Sequence, residues 1–251
     1  MVLIPLSDDA PHARRDTPYV AYALIAINVA VFLWRQSVSM GEDIAFERHW
    51  GVTPALMFGT NDLDFFHRFA PLVTYMFLHG GWSHLIGNML FLWIFGDDIE
   101  DALGHVRFVF FYLLCGMFGA LLYCVFTTHP QAPLVGASGA IAGVMGAYLM
   151  IRPCAHVRVL VFIKVVAIRA MYVILAWAAL QIWHVLTPGD GAVAWWAHIG
   201  GMLAGAALIP IMRQPGVKLW ECIQQRTFVS PWDETLRPPT VRGEKTDAGF
   251  S

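Results

Sequence analysis

The sequence predicts an all-α membrane protein that is a bundle of six transmembrane helices. Hydrophobic residues make up 57% of the 251 residues and charged residues only 14%, whereas about a quarter of the residues in soluble domains are charged. Long runs without Asp, Glu, Lys or Arg lie at 18–34, 69–96, 108–151, 170–189 and 191–212. A helix needs about 20 apolar residues to cross a bilayer, so we expect the lipid bilayer to surround most of the chain.

The six helices follow from these runs in chain order. The run at 108–151 is too long for one crossing and holds two, divided at Pro130 and Pro133, because proline does not continue a helix. The predicted helices are 18–36, 83–100, 106–127, 137–151, 168–187 and 192–212. The second, fourth and sixth each end at a charged residue on the same predicted side: Asp97, Arg152 and Arg213.

Three regions follow from this pattern. Residues 1–17 are expected to form a cytoplasmic segment, since acids and arginines precede the first apolar run and no signal peptide is evident. The membrane domain covers 18–213, and the polar tail at 214–251 is expected to be disordered. Near the helix ends, nine Lys and Arg residues lie on one predicted side and three on the other. This asymmetry puts both termini in the cytoplasm and the loop at 37–82 outside.

Charge and cysteine content exclude two other classes of protein. A net charge of -2 argues against nucleic-acid binding, which needs a basic patch to meet phosphates. The cysteines lack the CxxC spacing of a zinc site, and we expect them to pack as small apolar residues and to form no disulfide framework. They are Cys115, Cys124, Cys154 and Cys222.

Polar side chains inside the apolar runs are costly, and four of them are the main candidates for function. They are His84, Asn88, Ser138 and His198. His84, Ser138 and His198 precede the inner charge of their helices by 13, 14 and 15 residues, which is a height of about 20–22 Å. In a hydrocarbon core about 30 Å thick, all three therefore share one level, about 10 Å below the outer face.

Small residues repeat at every fourth position beside Ser138 and His198. Such stripes let helix backbones approach closely. The stripes are Ser138-Ala142-Gly146, Gly139-Gly143-Ala147 and Ala197-Gly201-Gly205. We therefore expect helix packing through Gly143, Gly146, Gly201 and Gly205.

These groups together predict a serine hydrolase site. Ser138 would attack a carbonyl carbon while His198 takes its proton, because neutral imidazole is the base best matched to pH 7. The backbone at Ser138, which opens a helix, and the side chains of His84 and Asn88 would stabilise the oxyanion. The apolar runs contain no Asp or Glu to orient His198, so we expect a dyad.

Each of these residues also has a plainer interpretation. A serine that opens a helix is commonly an N-cap. Single histidines in a membrane, and the pair His84 and Asn88, can serve as interhelical hydrogen-bonding residues. The common depth of His84, Ser138 and His198, together with the serine at a helix start and the pair of possible donors, favours the hydrolase over these alternatives.

The residues resemble the rhomboid family of intramembrane serine proteases, bacterial type, over about 18–213. Gly136-Ala137-Ser138-Gly139 is similar to its GxSG nucleophile motif, in which Gly136 and Gly139 let the backbone approach a substrate. His84 and Asn88 fit its HxxxN motif. Further agreement lies in His198-xx-Gly201-xxx-Gly205, Phe77-Leu78-His79-Gly80-Gly81 and Gly96-xxx-Glu100-xxx-Gly104.

The resemblance implies a function as well as a fold. It implies a six-helix core, a Ser138–His198 dyad, and cleavage of transmembrane segments near the outer face. The implied substrates are single- or multi-span membrane proteins, and neither a metal nor an organic cofactor is implied. The implied location is the bacterial inner membrane.

Two departures from the family pattern stand out. Ala142 occupies the position four after the serine, where the family often has an aromatic residue that packs on the histidine. Trp195 and Trp196 are the candidates to replace it. In the loop at 37–82 the nearest match to the family's Trp-Arg pair is His67-Arg68.

Two other functions remain as alternatives. A catalytically silent rhomboid-like protein would bind membrane clients, but such relatives typically lack the serine or the histidine. A transporter or channel would line a solute path with intramembrane His and Asn. It would also show paired charges near the midplane and repeat symmetry, and the sequence shows neither.

Overall fold

A computed structural model describes residues 3–10, 17–59, 64–161, 163–187 and 194–222, which are mostly helical. A 3₁₀ turn at Tyr75–Phe77 follows the short helix Pro71–Thr74. In chain order the elements are β1 (Leu3–Asp8), α1 (Tyr19–Arg35), α2 (Met40–Trp50), α3 (Pro54–Met57), α4 (Phe65–Phe69), α5 (Pro71–Thr74), α6 (Trp82–Leu103), α7 (His105–Phe126), α8 (Ser138–Ile151), β2 (His156–Val161), β3 (Lys164–Arg169), α9 (Ala170–Leu186) and α10 (Trp195–Met212).

The six long apolar helices lie where the charge-free runs predict them. Each end of α1, α6, α7, α8, α9 and α10 falls within three residues of its predicted position. Among the described residues, α7 and α10 are long and apolar enough to cross a membrane, with mean hydropathies of 2.2 and 1.4. Helices α1, α8 and α9 are apolar but shorter. That all six cross a bilayer, with both termini in the cytoplasm, stays a prediction.

Glu100 joins three helices at one end of the bundle. Its carboxylate accepts hydrogen bonds from the backbone N–H groups of Val20 (2.9 Å) and Ala21 (2.7 Å), which open α1. It also contacts His105 Nδ1 at 2.5 Å, at the start of α7. A buried carboxylate at a helix N-terminus meets unpaired N–H groups and the positive end of the helix dipole. Gly104 ends α6 at φ +78°, a conformation that suits glycine.

Helix α8 is the core of the structure. Every residue from Gly139 to Tyr148 is buried. Glycines make this possible, because a Cβ on Gly205 would lie 1.9 Å from the carbonyl oxygen of Gly143. A Cβ on Gly146 would lie 2.3 Å from the carbonyl oxygen of Met202. The small-residue stripes therefore form the contact between α8 and α10.

The predicted loop at 37–82 contains helices, which hydropathy did not predict. Helix α2 begins with a capping box between Ser39 and Glu42. Arg35, 4% exposed, fixes α2 against the end of α1. Its guanidinium pairs with Asp43 at 2.6 Å and Glu47 at 2.5 Å. The segment is therefore a folded part of the protein.

A three-stranded antiparallel sheet departs from the expected all-α fold. Strand β1 pairs with β2, and β2 pairs with β3. Val157 and Val159 are buried while Arg158 between them is exposed. This alternation is the period of a half-buried strand, which the charge-free runs do not predict.

The expectation that the cysteines form no disulfide is wrong for one pair. Cys154 and Cys222 are bonded, with Cα atoms 5.0 Å apart. The chain after α10 turns back along α8, where the N–H of Trp220 donates to the carbonyl of Met150 at 2.7 Å. Residues 214–222 of the expected tail are therefore packed, and 223–251 lie outside the described residues. Cys115 and Cys124 are buried and free, as expected.

Candidate active site

Ser138 is the first residue of α8, held there by the preceding segment. The N–H of Gly136 donates to the carbonyl of Tyr75 at 2.9 Å, and Leu134 forms an isolated bridge with Val52. Gly136 has φ +123°, and a Cβ there would lie 2.6 Å from His84 Nε2. Only glycine fits this position without strain. The backbone is thus fixed immediately before the serine.

His198 lies on α10 and meets Ser138 directly. Its Nε2 is 2.8 Å from Ser138 Oγ, a normal hydrogen-bond distance. The residue is 8% exposed. Ser138 and His198, which hydropathy placed at one depth on different helices, are brought together. A neutral imidazole at this distance can accept the hydroxyl proton.

His84 and Asn88 lie on one face of α6 and line the same space as Ser138. Asn88 is 7% exposed, and its Nδ2 has no hydrogen-bond partner among the residues that the structure describes. An unpaired buried donor is costly unless a ligand or water meets it. His84 contacts the ring of His79, with centroids 5.1 Å apart. All four predicted polar residues therefore surround one site.

Two cavities meet at this site. The larger has a volume of about 690 Å³, and its lining includes His84, Tyr123, Ser138 and His198. The smaller, about 200 Å³, shares His84, Ser138 and His198, and its lining also includes Asn88 and apolar side chains such as Trp177. The serine hydroxyl thus faces a space large enough for a short extended peptide.

Two residues of the site were missed by the sequence analysis, and both lie on α9. Gln181 Oε1 is 2.8 Å from His198 Nδ1. The Trp177 ring lies 5.5 Å from the His198 ring, at an interplanar angle of 37°. Gln181 had a usable signal, since it is a polar residue inside the charge-free run at 170–189.

The two expected substitutes for the family's aromatic residue behave differently. Trp195 meets His198 edge-on, with centroids 6.2 Å apart. Trp196 stacks on Phe126 at 4.5 Å. Ala142 is 1% exposed, and the ring nearest to His198 is that of Trp177 on the neighbouring helix.

The pair His67 and Arg68 lies away from the site. Arg68 donates to the carbonyl oxygens of Met57 (2.9 Å) and Gly59 (3.0 Å). His67 Nδ1 contacts Asp64 at 2.8 Å, where the N–H and ring of His67 hold the pKa of that carboxyl below its usual range. These contacts stabilise the segment between α1 and α6. Within the described parts of the chain, no three His, Cys, Asp or Glu residues are grouped to hold a metal ion.

The fold and site together define a helical membrane protein with a serine–histidine pair facing a large cavity. Residues 67–215 match the model of the Rhomboid domain. The chain belongs to the rhomboid family, whose members are integral membrane proteins. The family that the motifs indicate is thereby confirmed.

Curated relatives support the same family. RHOMBOID-like protein 6, mitochondrial, of Arabidopsis thaliana is 33% identical over 60% of this chain and 46% of its own length. Rhomboid protein 1, mitochondrial, of Saccharomyces cerevisiae is 29% identical over 74% of this chain and 51% of its own. Rhomboid protease GluP of Bacillus subtilis is 42% identical over 32% of this chain and 15% of its own. The chain spans about half or less of the length of these relatives. The two relatives that are named mitochondrial do not support the expected location in a bacterial inner membrane.

Proposed function

We propose that the protein is an intramembrane serine endopeptidase that uses Ser138 and His198 as a dyad. The observation that carries this proposal is the 2.8 Å contact between Ser138 Oγ and His198 Nε2 at the wall of a large cavity. The similarity to a relative named Rhomboid protease GluP supports the same class of reaction.

The reaction follows from the positions of these groups. His198 Nε2 removes the hydroxyl proton as Ser138 Oγ bonds to the peptide carbonyl carbon. The C–N bond then breaks, and the proton passes from His198 to the leaving amine. A water molecule repeats the sequence on the acyl-enzyme, which releases the new carboxyl terminus and restores the serine.

The tetrahedral intermediate carries a negative oxygen that needs donors. The N–H groups in the first turn of α8 have no intrahelical partner. Asn88 Nδ2, buried and unpaired among the described residues, is a second source. His84, whose Nε2 faces the Gly136 backbone, is a third. Several donors around one point are the usual way to stabilise an oxyanion.

The substrate class follows from the surroundings of the site. The cavity lies between helices that we propose to cross the bilayer, with Ser138 about 10 Å below the outer face. Transmembrane segments of single- or multi-span membrane proteins can reach such a site laterally. The alternative is a catalytically silent protein that uses the same cavity to bind membrane clients.

A fluorophosphonate probe on the full chain in detergent tests this proposal, since only an activated serine reacts. Ser138 should be labelled in the wild type and in Ser37→Ala, whose serine is exposed at the end of α1. Labelling should disappear in Ser138→Ala and His198→Ala. Incubation with a panel of single-span substrates, with cuts mapped by mass spectrometry, then separates the peptidase from a client binder. An unlabelled wild type that cuts no substrate would reject the peptidase.

A further inference from the structure

Gln181 is a buried polar residue on α9, a helix with mostly exposed side chains. The buried residues of α9 are Ala170, Ile174 and Gln181. Gln181 is 4% exposed, and its amide makes two hydrogen bonds. Nε2 donates to the carbonyl oxygen of Trp177 at 3.1 Å, and Oε1 faces His198 Nδ1 at 2.8 Å.

The hydrogen-bond pattern fixes the orientation of this amide. If the amide were flipped, Oε1 would face the Trp177 carbonyl oxygen, and two acceptors would meet without a proton between them. In the observed orientation Nε2 supplies the proton to that carbonyl. Oε1 is an acceptor only, so the proton between Gln181 and His198 belongs to His198 Nδ1.

The tautomer of His198 follows from this contact. A neutral imidazole carries one ring proton. When that proton is on Nδ1, Nε2 keeps a free lone pair, and Nε2 is the atom 2.8 Å from Ser138 Oγ. The opposite tautomer would direct an N–H at the serine and could not accept its proton.

We infer that Gln181 is a positioning residue, which holds His198 in the Nδ1–H tautomer and orients its ring toward Ser138. The kinetic consequence of this inference rests on the proposed function, whereas the tautomer of His198 does not depend on it. The site is then a dyad supported by a neutral amide, in the place where many serine hydrolases use a carboxylate. Trp177 packs on the same ring from the same helix, so α9 limits both rotation and tilt of the imidazole.

The direct experiment is ¹⁵N NMR of the full chain in detergent, labelled at histidine. The His198 signals are assigned by their loss in His198→Ala. We expect a single neutral form with Nδ1 protonated in the wild type and in the exposed control Leu180→Met. Nδ1 should also be protonated in Gln181→Glu, which keeps an acceptor. Gln181→Met should give a mixture of tautomers or the Nε2–H form. An Nε2–H wild type, or an unchanged tautomer in folded Gln181→Met, would overturn the inference.

Kinetics supply the second measurement. Gln181→Met should lower kcat about ten- to a hundredfold, less than the whole contribution of about 10²–10⁴ from a general base. KM should change little, because Gln181 does not line the cavity that receives substrate. Gln181→Glu should retain more activity than Gln181→Met. Equal losses in both variants would indicate a packing role and contradict the inference. Because the NMR measurement needs no peptidase activity, failure of the proposed function and failure of this inference are distinguishable.

Discussion

Gly201 lies so close to Gly139 that a Cβ on Gly201 would be 1.8 Å from the carbonyl oxygen of Gly139. Gly139 follows Ser138 in the chain, and Gly201 lies one helical turn after His198. The backbones of α8 and α10 are thus in close contact beside the dyad. Helix packing and the geometry of the dyad therefore depend on the same few atoms. We expect a side chain at Gly201 to push α10 away from α8, and with it His198 away from Ser138.

Gly201→Ala should therefore reduce both stability and reactivity. The obstacle is backbone, which cannot move aside as a flexible side chain can, and overpacking costs about 1–3 kcal/mol or more. We expect a lower thermal midpoint in detergent and loss of fluorophosphonate labelling. Gly41→Ala is the control, since a Cβ there meets nothing within 4 Å. A folded, fully labelled Gly201→Ala would show that the helices can separate without moving the dyad.

The helices and the four polar residues of the site could be predicted from the sequence, because both follow from the order of charged, polar and apolar residues along the chain. Charge-free runs locate the helices, and counting residues from the inner charge gives the depth of His84, Ser138 and His198. Which face of a helix points into the site depends on the helices that pack around it, and the pattern of charge-free runs does not give these partners. Gln181 was missed for that reason, although it too is polar in an apolar run.

The remaining differences come from contacts between distant parts of the chain. Val157 and Val159 alternate with a charged residue, but a strand also needs a partner, and β1 is far away in sequence. Cys154 and Cys222 are separated by 68 positions and meet only because the chain returns after α10. Spacing alone does not predict such a pair.

Ser138→Ala and His198→Ala should each abolish cleavage and leave the fold largely intact. The two residues act as one unit, so the second substitution should remove almost nothing further. Residual cleavage of a test substrate by both single variants and by the double variant measures this. A double variant much slower than either single variant would show that the two residues contribute independently.

His84→Ala and Asn88→Ala test the proposed oxyanion donors. Loss of one donor typically costs about 2.7–4 kcal/mol in the transition state, roughly a hundred- to a thousandfold in turnover. We expect that decrease in kcat while Ser138 still reacts with the probe, because the dyad contact involves neither residue. Wild-type turnover in both variants would instead favour a role in helix packing.

Substrate preference should depend on how easily the substrate helix opens. A protease needs an extended peptide, but every backbone group of a transmembrane helix is bonded internally, and an unpaired group in lipid costs several kcal/mol. Opening of the helix costs least where water and polar side chains are available. Near Ser138 the polar side chains are those of His84 and Asn88, which line the smaller cavity.

We therefore expect cleavage to require a locally unstable helix near the outer end of the substrate. Gly and Pro destabilise a helix by about 1 and 3 kcal/mol relative to Ala, so their presence in the upper turns lowers the opening cost. A matched series of single-span substrates tests this, with such residues kept, replaced by Leu, or moved to the cytoplasmic half. Rates should fall in the last two sets. Because the peptide bond and the cavity are the same throughout the series, the difference in rate reports the cost of opening alone. Equal rates across the series would contradict helix opening even if Ser138 and His198 form the dyad.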